Sequence, residues 1–174
     1  MRQSKEIDYK AEHIGGEEHM IRLLCSPLYY DKDTHIVSAE AFNLRLLGKD
    51  KSKPETYASL GRRKLLEEEG ILDDFLQRGY KIWDDKTWET NRYAGHGTFQ
   101  CSEAININPK RIEINPLTDS DKGHVGLFYV KSENDYYKGP LPVEEAEISE
   151  MLSDLANLIS DAIVSAPPRH NIDA

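Results

Sequence analysis

Between Val143 and Val164 the apolar residues Ile148, Met151, Leu152, Leu155, Leu158, Ile159, Ala162 and Ile163 recur at three-and-four spacing. That period predicts one helix with a single apolar stripe, which needs a surface to bury it. The segment upstream supplies one. Residues His124 to Val130 form the strongest strand pattern of the chain, with Val125, Leu127 and Tyr129 on one face and His124, Gly126, Phe128 and Val130 on the other. The helix is expected to pack across a sheet and cover this strand. Acidic residues in its first turns complement the positive helix end, and Pro142 is tolerated near its start.

The rest of the chain agrees with an α+β class. His19 to Ser26 has the apolar density of a buried strand closed by Pro27, and Thr56 to Leu60 returns to strand composition. Leu65 to Tyr80 is helical in pattern, and Gly70 divides it into a short turn and a better helix. Thr98–Cys101, Glu103–Ile107 and Ile112–Ile114 alternate like strands, the last two joined by a turn at Asn108-Pro-Lys-Arg. His35 to Phe42 reads as a short strand or one helical turn, and Lys81 to Tyr93 shows no period. A length of 174 residues with 39% hydrophobic content suits one core. We therefore expect a mobile arm at 1–18, one α+β domain at 19–166 with a mixed or antiparallel sheet, a long C-terminal helix and a smaller helix near 70–80, and a disordered tail at 167–174.

Charge limits the partners. Lys and Arg number 22 against 31 Asp and Glu, a net charge of -9, which disfavours a phosphate backbone as ligand. No apolar run approaches the ~18 residues that cross a bilayer, and the first residues hold no apolar leader, so a cytoplasmic protein with no membrane partner is expected. Cys25 and Cys101 have no neighbour at ligand spacing; they read as reduced core residues, with a bridge between strands left open.

Two histidines stand out as candidate catalytic groups. His96 sits between Gly95 and Gly97, where backbone can approach a ligand, and His124 opens a strand just after Gly123, where a neutral imidazole can act as a base. His35 also begins an apolar segment, yet no histidine pair has metal-ligand spacing, so neither a metal nor a cofactor is expected. No nucleophile elbow, phosphate loop or dinucleotide fingerprint occurs. The aromatic residues Tyr29, Tyr30, Trp83, Trp88, Tyr93, Tyr136 and Tyr137 lie mostly outside the periodic core positions and are candidate anchors for a partner protein, the alternative being that they fill a thin small-domain core.

The triplet His96-Gly-Thr98 resembles the opening motif of ADP-ribosyltransferase-fold enzymes, and His124-Val-Gly-Leu-Phe128 echoes a later strand of their relatives. That resemblance implies a nucleotide-using enzyme centred on His96, with Tyr29, Tyr30 or Tyr93 stacking on a base and Arg22 steadying a phosphate. In such enzymes a helix usually follows the His-Gly-Thr strand, whereas residues 99–114 here alternate like strands, and no Glu closes a third motif. Over residues 94–164 the chain resembles a loosely defined group of small bacterial proteins. The matching parts are Ala104-Ile-Asn-Ile107, Ile112-Glu-Ile-Asn-Pro116, His124-Val-Gly-Leu127 and Leu155-Ala156, with weaker echoes at Arg22-Leu-Leu24, Ser26 and Ala41-Phe42. Its members often stand alone as accessory proteins. The expected function is thus a bacterial accessory protein that contacts another protein, within a defence or conflict system; the enzyme centred on His96 is the alternative.

Overall fold

The apolar strand at the start of the fold becomes the centre of an antiparallel sheet in the structure, a computed structural model that describes residues 14–117, 121–160 and 163–170. The sheet strands are β1 (His19–Ser26), β2 (Ala58–Arg62), β3 (Arg92–Gln100), β4 (Ile112–Pro116), β5 (His124–Ser132), β6 (Asp135–Tyr136) and β7 (Ile163–Ser165). Their order is β6-β5-β2-β1-β3-β7, with β4 also pairing β5. The helices are α1 (Arg63–Glu68), α2 (Leu72–Gly79), α3 (Cys101–Ile107) and α4 (Ala146–Ile159). Two small ribbons, Tyr30–Asp31 with Ile36–Val37 and Leu46–Leu47 with Lys53–Pro54, lie outside the sheet. The expected α+β domain with an antiparallel sheet is what the structure shows.

In β1, Met20 through Cys25 are all buried, because neighbours flank the strand on both edges, helices pack on one face, and on the other Arg22 meets the turn that ends at Ala41 and Phe42. The helix of the apolar stripe forms as α4 and buries Ile148, Met151, Leu152, Leu155, Ala156 and Ile159. Each of the Ile, Met and Leu side chains contributes about 1.5–3 kcal/mol on leaving water. The principal contacts of α4 are β3, α3 and the 3-10 turn Ala39–Ala41, not the β5 strand that the sequence points to. Gly97 explains the choice: a Cβ there would lie 2.8 Å from the Ile159 Cβ, so only glycine lets the helix come so close to β3. On the other face, Gly61 gives the same access to Leu66 of α1 and Phe75 of α2.

Two local expectations are corrected, and one unassigned stretch takes shape. The helix does not run on to Val164: it ends at Ile159, and Ile163–Ser165 pair with Gly97, His96 and Gly95 as β7. Ile163 and Val164 continue the helical period by coincidence, but as β-branched residues they suit a strand, and the open edge of β3 supplies the partner. Residues Cys101–Ile107 form α3 despite their strand-like alternation; the helix buries Cys101 and Ala104, and its first amides donate to the carbonyls of Glu18 and Gly16. Lys81 to Tyr93 becomes a π-helical turn over Tyr80–Asp84, further turns, and the start of β3. Gly70 does separate α1 from α2, in the left-handed conformation at φ +70.

At the ends, residues 1–13 of the expected arm and 171–174 of the expected tail lie outside the described residues. Glu18 pairs with the buried Arg62 at 2.9 Å, and residues 167–170 lie along α2.

Candidate functional site

His124 and His96 share a face of the sheet but not a site. Across the strands His124 is level with Gly61, Ile21 and Thr98, and His96 with Leu23, so β2 and β1 lie between the two histidines. At about 4.8 Å per strand this separates their backbones by roughly 14 Å. Arg22 pairs with Gly97 and, by alternation, projects from the opposite face.

Each histidine is buried and held neutral. The Nε2 of His124 hydrogen-bonds the Ser59 hydroxyl, and its ring lies 6.3 Å from those of Tyr57 and Phe75. Burial, then the nearby Arg78 charge, pulls its pKa down to about 4 against the opposing Asp121. His96 is lowered too, by burial and then by Arg63, and its Nδ1 is buried with no hydrogen-bond partner among the described residues.

Arg22 is 5% exposed. Its Nε donates to the Ala41 carbonyl at 2.8 Å and its Nη1 to the Ser59 carbonyl at 3.0 Å, while the guanidinium lies 5.1 Å from the Tyr29 ring centroid and 5.9 Å from that of Phe42. These bonds and cation–π contacts tie β1 to β2 and to the turn that α4 covers. Burial raises the Glu55 pKa, opposed first by Arg22, then by the Arg45 amide that donates to its Oε1 at 2.7 Å, and then by the Arg45 charge.

From Tyr29 the polar network runs outward. The Arg45 guanidinium donates to the Tyr29 hydroxyl and to Glu89 Oε2, each at 3.4 Å; Glu89 Oε1 accepts from Asn91, whose Oδ1 accepts the Leu28 amide. It opens into a cleft of about 460 Å³ lined by Arg45, Leu46, Leu47, Ile82, Trp88 and Glu89, among others. Trp88 is 45% exposed, with Leu46 and Leu47 close behind.

The remaining sequence candidates belong to the core. Tyr30 is buried with its hydroxyl 2.8 Å from His35 Nδ1. Trp83 packs edge-on to Tyr29 and stacks on Tyr93, with ring centroids 5.9 Å apart in both pairs, and Tyr80 meets Tyr93 at 4.9 Å. Trp88 lines the cleft at Arg45 and Glu89, whereas Tyr136 and Tyr137 line a separate one with Lys131 and Pro142. Sequence reasoning passed over Leu46 and Leu47, although an apolar pair directly before the charged loop Gly48–Pro54 is a readable sign of an exposed patch. Cys25 and Cys101 are free, buried thiols, and burial pushes Cys25 up to about 11. Among the described residues no three His, Cys, Asp or Glu side chains gather as metal ligands, and no helix is long and apolar enough to cross a membrane. No protein-family model, no curated protein and no solved structure matches this chain.

Proposed function

We propose that the chain is a cytoplasmic binding or accessory protein that works by contacting another protein, with the Trp88 cleft as its contact surface. The observation that carries this reading is the grouping of Trp88, Leu46 and Leu47, each at least 40% exposed, around the polar floor made by Arg45 and Glu89. A half-exposed tryptophan flanked by leucines, above hydrogen-bonding groups already held by a buried network, has the make-up of an interface anchor. The bacterial defence setting implied by the sequence resemblance belongs to the same proposal.

The nucleotide-using alternative centred on His96 gains one element, since α3 follows the strand of His96-Gly-Thr98. It loses the convergence it requires: His96 is buried, His124 lies beyond two intervening strands, and Arg22 is committed to carbonyls on the other face. Affinity capture with the full chain and with Trp88→Asp as baits tests the proposal. A stoichiometric protein held by the parent chain and released by the variant, at unchanged circular dichroism, is the expected result. Turnover of a defined small substrate that disappears in His96→Ala or His124→Ala would overturn it.

A further inference from the structure

One surface of the protein already holds a peptide. Asp73, Gln77 and Tyr80 stand at i, i+4 and i+7, on one side of α2 and the turn that continues it, and Asp85 follows just beyond. Along this row runs the segment Pro167-Pro-Arg-His170. The Tyr80 hydroxyl donates to the Pro167 carbonyl, and Gln77 Nε2 donates to the Pro168 carbonyl at 2.9 Å. Gln77 Oε1 then accepts the His170 amide at 3.1 Å, so a single side-chain amide clamps the backbone on both sides of Arg169. The Arg169 guanidinium lies 5.2 Å from the Tyr80 ring centroid and pairs with Asp85, and His170 Nε2 is 2.6 Å from Asp73 Oδ2.

We propose that this row of side chains is a recognition site for extended segments of a partner protein with the pattern Pro-Pro-basic, and that residues 167–170 are its built-in competitor. The chemistry is selective at each step. Proline offers no N–H, so two successive prolines present only carbonyls, and the surface meets them with two donors, Tyr80 and Gln77. The next position is read by an aromatic face together with a carboxylate, which suits a planar guanidinium, and the next by a second carboxylate. Aromatic docking of a preformed proline-rich segment is an established mode of peptide recognition.

The internal segment is held in a way that allows displacement. The Arg169–Asp85 pair has side chains 46% and 39% exposed and the His170–Asp73 pair 58% and 54%, so both are open to water and screened by salt. Proximity supports these contacts: β7, paired to β3 directly upstream, raises the segment's effective concentration at the surface. A partner segment therefore competes with a tethered copy, and it binds tightly only when that copy is released.

The test uses the full chain and a fluorescent peptide of sequence Ser-Ala-Pro-Pro-Arg-His, read by anisotropy at low salt. Arg169→Glu removes the tethered guanidinium, and Arg169→Ala is a milder release should the first variant fold poorly. At least tenfold tighter peptide binding to a folded release variant than to the parent chain is expected. That gain should vanish when Tyr80→Ala is added, or when the peptide carries Glu in place of Arg. Equal or absent binding in the parent and both release variants up to millimolar peptide would overturn the proposal and leave residues 167–170 as a fixed part of the fold.

Discussion

Ser59 on β2 and His124 on β5 sit diagonally across one strand seam and are joined by a hydrogen bond between the Ser59 hydroxyl and the imidazole Nε2. The bond lies beneath Phe75 and Tyr57, so the imidazole is neutral in the fold and can charge freely only on unfolding.

Acid should therefore weaken the protein through His124. Its pKa falls from 6.5 when unfolded to about 4 when folded. The folded state then binds fewer protons than the unfolded one between those values: above pH 6.5 there is no penalty, and below pH 4 it is complete. At ~1.4 kcal/mol per pH unit this amounts to about 3 kcal/mol. Urea unfolding of the parent and of His124→Gln at pH 7 and pH 4.5 checks it, with the variant losing less stability on acidification.

Arg22→Met should cost about 3 kcal/mol, because it leaves the Ala41 and Ser59 carbonyls without donors and takes away the charge closest in effect to Glu55. Arg22→Lys should recover little of this, since one ammonium does not reproduce the two-nitrogen fork. The midpoint of chemical denaturation reports both.

The two tryptophans should separate optically. Trp83 is 3% exposed and Trp88 45%. A Trp88→Phe chain should emit at shorter wavelength and resist acrylamide, whereas Trp83→Phe should leave a red-shifted, readily quenched signal. Truncation follows the same division: Trp83→Ala costs about 3–5 kcal/mol of packing, and Trp88→Ala less than about 0.5.

Gly95→Ala should unseat β7. Gly95 holds φ +143, and a Cβ there would fall 2.0 Å from the Val164 carbonyl oxygen. Strain of about 1–3 kcal/mol is expected, appearing as faster amide exchange over residues 163–166 with the centre of β1 still protected.

The parts of the fold that were legible are those specified by local period. The stripe of α4, the apolar density of β1, the alternation in β5 and the break at Gly70 depend on neighbours in sequence. The parts that were not legible depend on distant partners. Residues 101–107 alternate like a strand, yet they form a helix whose amides are satisfied by the Gly16 and Glu18 carbonyls. Residues 163–165 match a helical period but belong to the edge of β3. At the cleft, Trp88 could be picked out as an unplaced aromatic. Its floor could not, because Arg45 and Glu89 stand 44 positions apart. Tyr29, Trp83 and Tyr93 looked surplus for the opposite reason: they bury one another, and no residue in their own segments announces it.

The central place of β1 has a consequence during translation. Its apolar residues, Met20, Ile21, Leu23, Leu24 and Cys25, leave the ribosome long before β2 at Ala58–Arg62 and β3 at Arg92–Gln100, the strands that close its two edges. At about 5–20 residues per second, the nascent chain carries an unpaired hydrophobic strand for several seconds. During that interval its solubility rests on whatever shields the segment, a chaperone included, rather than on the fold it will complete.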